Sequence, residues 1–302
     1  MRILGFVAYA VVALAGCSSP VRSDPAPAAV DDATPARKSV PDAPAEPTIS
    51  TSEIERLRAP GVGDTDAIVA RGYLRVLVVP SRTGFATEKG VQRGATFNAG
   101  KAVEAFINSK RAGTNPIKVV FIPVRSDALV ADLNAGRGDI AANLLVTFER
   151  DDQVLFSEPI RTGIRELIVT GPGVPPIVSL EDVAGRAIHV RKTSDHYASL
   201  VRLNQQLAKV DKPVCQIVVA GEALTDEDLV QLVNDGKIPA TLVDDYVYKL
   251  MKATVAKAAV NEDVAVSQDG MLAWALRKDS PKLRALVNEF IALHDLTRGG
   301  GR

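Results

Sequence analysis

The sequence predicts an α/β fold made of two similarly built halves. Short apolar runs alternate with stretches of helical periodicity along most of the chain. A unit of helix, glycine and apolar strand occurs twice, at 126–146 and at 225–243. The run Ile140–Val146 is apolar almost throughout, as a parallel strand buried on both faces would be.

Tyr73–Val79 reads as a strand ended by Pro80. Ala99–Lys110 reads as a helix, with Ala102, Val103, Phe106 and Ile107 on one face. Lys118–Pro123 is a second short strand. Ser126 is expected to cap a helix carrying Leu129, Val130 and Leu133 that stops at Gly136. In the second half Leu167–Thr170, Ala187–Val190 and Cys215–Val219 are strand patterns, and Cys215 is expected in the core. Thr225-Asp226-Glu227-Asp228 has the form of a capping box, before a helix bearing Leu229, Leu232 and Val233 that ends at Gly236. Ala240–Val243 is the strand that follows. Thr147-Phe148-Glu149-Arg150 comes after the first copy of the unit and Asp244-Asp245 after the second. A cation and an anion thus lie just past the carboxyl ends of two equivalent strands, where open α/β sheets bind ligands.

Composition excludes several functions. The 302 residues carry 36 basic and 36 acidic side chains, so the electrostatic footprint of a nucleic-acid partner is missing. Aromatic residues make up 5%, too few for base-stacking platforms. Two cysteines and three histidines, widely scattered, do not form a Cys/His metal cage, so neither a metal nor a cofactor is expected.

The N-terminus reads as an address. Met1-Arg2 precedes an uncharged run from Ile3 to Ala15, shorter than the roughly 20 residues a membrane span needs. It ends Leu14-Ala15-Gly16-Cys17, which resembles the box at which bacterial lipoproteins are cleaved and acylated on cysteine; an ordinary signal peptide carrying a cysteine is the alternative. The expectation is a leader over 1–16, lipidation at Cys17 and a tether over 17–52 rich in Pro, Ala, Asp and Ser. Ser18 after the cysteine points to the inner leaflet of the outer membrane, facing the periplasm.

Two segments carry a family resemblance: Thr147-Phe148-Glu149-Arg150, and Phe156-Ser157-Glu158-Pro159 downstream of it. With these, the chain from about Gly72 to Leu293 resembles type II periplasmic solute-binding proteins of the amino-acid-receptor branch, family 3. It also resembles the N-terminal module of membrane-bound lytic murein transglycosylase F, through its Leu74-Arg75-Val76 opening and the strand Met271–Leu276. The resemblance implies two α/β lobes with a ligand cleft between them. The boundaries expected are 53–166 with 270–302 for lobe 1 and 167–269 for lobe 2, with hinges near Arg165–Thr170 and Val264–Trp274.

The resemblance also implies site roles. Arg150, with Thr147 beside it, would grip a ligand carboxylate; pairing with Glu149 or Asp151 is the alternative. Thr193 and Ser194 would meet the same carboxylate from a helix start, or serve as a plain cap. Asp244 would accept an ammonium group, or cap the helix at Tyr246–Met251. Phe85 would face the ligand or pack in the core, and Arg82 is a further cleft candidate.

The chain departs from the family at Gly94-Ala95-Thr96-Phe97-Asn98 and at Lys192-Thr193-Ser194. No lysozyme-like segment precedes Arg302, no nucleophile elbow occurs, and Asp195-His196 beside Ser194 is not by itself a triad, so no catalysis is expected. The ligand expected is an amino acid or a short peptide, including one derived from the cell wall. A regulatory module for cell-wall hydrolysis and an uptake receptor are alternatives, with a murein hydrolase or an ABC permease as the respective partner, and a third is a full enzyme whose catalytic domain is missing from this chain.

Overall fold

The computed structural model describes Glu55, Leu57, residues 59–111 and residues 115–294. The leader, Cys17 and the tether expected over 17–52 lie outside the described residues. The first element is helix α1 (Thr65–Arg71), which starts where the Asp64 carboxylate accepts the Thr65 N–H at 2.8 Å and ends at Gly72 with φ 80°. It leads into β1 (Tyr73–Val78), of which five of six residues are buried. A hairpin of β2 (Ala86–Glu88) and β3 (Val91–Arg93) then precedes α2 (Ala95–Ser109).

Helix α2 starts four residues earlier than its apolar period suggests. Gly94 supplies the turn at φ 117°, and a Cβ there would lie 2.2 Å from the Gly84 carbonyl oxygen. The helix buries Val103, Phe106 and Ile107. Next come β4 (Lys118–Pro123), a single 3₁₀ turn at Ser126–Ala128, α3 (Leu129–Asn134) and β5 (Ile140–Leu145). Ser126 lies inside that turn and makes no capping bond, so the cap expected from its hydroxyl is not made. Gly136 ends the unit at φ 72°.

A short α4 (Phe148–Asp151) and β6 (Leu155–Phe156) follow, then β7 (Arg161–Thr170), β8 (Ala187–Arg191) and α5 (Asp195–Lys209). The second half continues with β9 (Gln216–Ala220), α6 (Asp226–Asn234), β10 (Ala240–Asp244) and α7 (Asp245–Met251). The capping box at Thr225 and Asp228 is formed in full. The chain closes with β11 (Ala259–Leu276) and α8 (Pro281–His294).

Strand order in the main sheet is β4-β1-β5-β11-β7-β10-β8-β9, with β6 on β11. Strands β4, β1 and β5 are mutually parallel, as are β10, β8 and β9. Between these wings run β11 and β7, antiparallel to each other and to the wing beside them. They are the strands that pass between the lobes. The C-terminal residues of β11 pair with β5, while its N-terminal residues pair with the end of β7.

Each wing is covered on both faces. In lobe 1 one core joins Val103, Phe121, Trp274 and Phe290, and the opposite core joins Leu77, Leu129 and Leu133. In lobe 2 one core holds Ile188, Leu200 and Cys215 against α5, and the other holds Val169, Val230 and Val247 against α6 and α7. Parallel strands sandwiched this way have no wet face, which explains the near-continuous apolar runs of β1, β5 and β10. Lobe 1 also encloses an ionic hub. The Asp139 carboxylate, 0% exposed, accepts the Arg75 N–H at 2.8 Å and Arg75 Nη2 at 3.0 Å; Arg71 bonds it as well, and Arg277 lies 3.6 Å away.

Candidate functional site

Because both wings present the carboxyl ends of parallel strands to the same gap, loops and helix N-termini from both lobes converge there. They enclose a cavity of about 390 Å³. Lobe 1 contributes Thr83, Thr96, Asn143, Arg150 and Trp274; lobe 2 contributes Arg191, Ser194, Asp226 and Asp244. Asn143 takes φ 57°, a left-handed conformation asparagine tolerates, within β5, and its amide donates to the Thr96 hydroxyl at 2.7 Å.

Arg150 reaches the cavity because Thr147 caps the first turn of α4. Its guanidinium is held within the protein through both Nη atoms. Nη1 donates to the Leu145 carbonyl at 3.0 Å and to Asp195 Oδ2 at 3.1 Å, while Nη2 lies 3.0 Å from Asp195 Oδ1. This is a two-pronged ion pair between lobes. The surface partners Glu149 and Asp151 expected as its alternative are not the ones it takes.

On the lobe 2 wall, Asp244 makes no capping bond to α7 and instead accepts from His196 Nε2 at 3.2 Å. His196 Nδ1 lies 3.8 Å from Asp226, which is itself bonded to Arg191 at 2.7 Å. Burial alone would push the imidazole down, but the carboxylates of Asp244, Asp226 and Glu166 outweigh it and hold His196 at about 10. His196 is therefore an imidazolium at neutral pH. Glu166, at the point where β7 crosses between lobes, is 5% exposed, and burial raises its carboxyl above the ordinary range. Glu166, His196 and Asp244 bring ligand atoms within 4.8 Å of one another, the one such metal-capable group among the described residues. These three side chains form an ion network centred on His196.

Acids of the α6 first turn each have a partner. Glu227 accepts from the Thr83 hydroxyl at 2.9 Å, and Asp228 from Arg82 at 2.8 Å, so both tie lobe 2 to lobe 1. Arg161 stacks over the Tyr246 ring at 4.8 Å on another side of the cavity. Three atoms of cavity-lining residues have no hydrogen-bond partner among the described residues: Glu166 Oε2, Arg191 Nε and Trp274 Nε1.

Of the residues expected at the site, Arg150, Ser194 and Asp244 come together at the cavity. The others take different places. Phe85 is 2% exposed and packs on Phe121 at 5.3 Å, because the Ser81–Phe85 bridge turns its ring into the lobe 1 core. Thr193 turns its N–H and hydroxyl to Glu222, leaving Ser194 as the α5 cap. Arg82 sits on the outer rim with Asp228, and Thr147 serves α4. Sequence reasoning missed Asp195, His196, Asp226, Glu227 and Glu166. The acidic first turn of α6 was visible as a cap, but nothing local to Glu166 within an apolar strand distinguishes it.

Comparison with known proteins agrees with this architecture. A family model described as bacterial extracellular solute-binding proteins, family 3, matches residues 77–296. Membrane-bound lytic murein transglycosylase F of Desulfosudis oleivorans is 30% identical over 165 residues, covering 54% of this chain and 34% of that protein. The Yersinia pestis protein of the same name is 26% identical over 238 residues, covering 76% and 44%. The chain thus spans less than half the length of these relatives. An ancestral arginine-binding protein bound to arginine superimposes with a TM-score of 0.60 at 22% identity, covering 74% of this chain and 93% of that one. An amino-acid ABC transporter substrate-binding protein of Streptococcus pneumoniae, solved with L-arginine, gives 0.61 at 20% identity, covering 76% and 92%. Among the described residues no helix is long and apolar enough to cross a membrane. With two wound lobes around a charged cavity and a family match over most of its length, the chain belongs to the bacterial extracellular solute-binding proteins of family 3.

Proposed function

We propose that this protein binds an amino acid or a short peptide in the interlobe cavity and performs no chemistry on it. The observation that carries the reading is the cavity itself: it lies between lobes, joins both signs of charge, and keeps unpartnered polar atoms on three of its lining residues. Asp244 and Glu166 receive the ammonium group. Lobe 1 spans 53–166 with 270–302 and lobe 2 spans 167–269, and closure bends β7 and β11. Cys17 carries the lipid that holds the protein to the outer membrane, facing the periplasm.

Kinship with murein transglycosylase F favours a cell-wall-derived peptide as ligand and a murein hydrolase as partner. The likeness to the streptococcal transporter component favours a second reading, an uptake receptor for an ABC permease. Thermal unfolding with amino acids and muropeptides tests binding. A ligand at 100 times its Kd adds about 2.7 kcal/mol of stability. Trp274, the chain's only tryptophan and part of the cavity wall, gives an independent fluorescence signal. No shift with any ligand in either measurement rejects the reading. Recovery of a permease or of a murein hydrolase on the purified full chain separates the two roles.

A further inference from the structure

We infer that Asp195 is a built-in carboxylate that occupies the anion position of Arg150, so that the cavity selects ligands with a free ammonium group but a masked carboxyl: amino acids in amide or peptide linkage. This deepens the amino-acid or peptide reading above and rests on it.

The two Nη atoms of Arg150, the prongs that would grip a ligand carboxylate, are both taken up by Asp195. Both Nη atoms hold Asp195, at 3.1 and 3.0 Å, and Nη1 also holds the Leu145 carbonyl. Asp195 is stabilised where it stands. It occupies the first turn of a 15-residue helix, where negative charge is favourable, and Ser194 next to it already caps the helix through the Tyr197 N–H at 3.2 Å. A ligand carboxylate arriving from solution would compete with a tethered carboxylate whose effective concentration is on the order of millimolar or higher.

The groups left over match the remaining functions of such a ligand. Glu166 Oε2 is an acceptor on a side chain 95% buried by its 5% exposure, suited to an ammonium N–H. Arg191 Nε and Trp274 Nε1 are donors, suited to the carbonyl oxygen of an amide. The other lining ions pair as Arg191 with Asp226 and His196 with Asp244, whose carboxylate stands beside Glu166 to share the ammonium group.

The test is isothermal titration of the full-length protein with L-alanine, L-glutamine and L-arginine, each as the free acid and as its C-terminal amide. The expected result is that at least one amide binds roughly tenfold or more tightly than its acid, the scale of one charge-assisted hydrogen bond. In Asp195→Ala, Arg150 is released and the order reverses, with acid affinity rising by about tenfold or more. Asp195→Asn, which keeps the side-chain shape at the helix start, moves the same way. If the unaltered protein prefers the free acid and Arg150→Ala abolishes that binding, the inference is overturned while amino-acid recognition stands. If no acid or amide binds either protein, with both folded by circular dichroism, the inference and the binding reading fall together.

Discussion

Arg150 of lobe 1 and Asp195 of lobe 2 face each other across the cavity in a two-pronged ion pair, 45 residues apart in sequence. The side chains are 22% and 35% exposed, so water screens the pair, and its strength belongs with partly exposed ion pairs. A double-mutant cycle of Arg150→Ala and Asp195→Ala, read by denaturant unfolding, should give a coupling energy of about 0.5–1 kcal/mol. A coupling of zero would mean the pair does not hold the lobes.

His196 predicts a pH dependence. Its folded value of about 10 lies above the ordinary 6.5, so its contribution to stability is complete below about pH 6.5 and is lost as pH rises through 10. Unfolding free energy should therefore decline from neutral pH toward 10. In His196→Gln, which cannot titrate, that decline should be reduced. Parallel curves for the two proteins would show that His196 is not the group responsible.

Glu166 should show stability and binding moving apart. Its buried carboxyl has an unpartnered oxygen and is raised by burial, so the folded state carries a cost that a neutral side chain avoids. Glu166→Gln is expected to melt no lower than the unaltered protein, yet to lose about tenfold in affinity for an ammonium-bearing ligand. A variant that loses stability and keeps its affinity would assign Glu166 to the scaffold.

Asp139 gives the opposite case, far from the ligand. Asp139→Asn keeps volume but leaves buried Arg75, 2% exposed, without its counter-charge. Removing one partner of a buried ion network costs about 3–5 kcal/mol, which chemical denaturation would read directly. Trp274 fluorescence of the remaining folded protein should still respond to ligand.

The amino-acid sequence by itself determined the α/β alternation, the repeated helix–glycine–strand unit and several of the helix ends, though not the start of α2 or the cap expected at Ser126. The features it determined depend on neighbours: the left-handed turns at Gly136 and Gly236, the Thr225 capping box, and the unbroken apolar run of β5. The family motif likewise marked Arg150, Ser194 and Asp244. Tertiary structure decided the rest. Strand β11 extends over 18 residues through the mixed segment AVNEDVAVSQDGMLAWAL, because β7 pairs along it through repeated register shifts that no alternating pattern announces. Phe85 went to the core once the Ser81–Phe85 bridge fixed its direction. The partners of Arg150, His196 and Glu227 come from segments tens of residues away. Periodicity is written into adjacent residues, whereas an ion's partner is chosen by which charged groups the folded lobes bring within about 3 Å of each other, where Coulomb energy and desolvation are settled together.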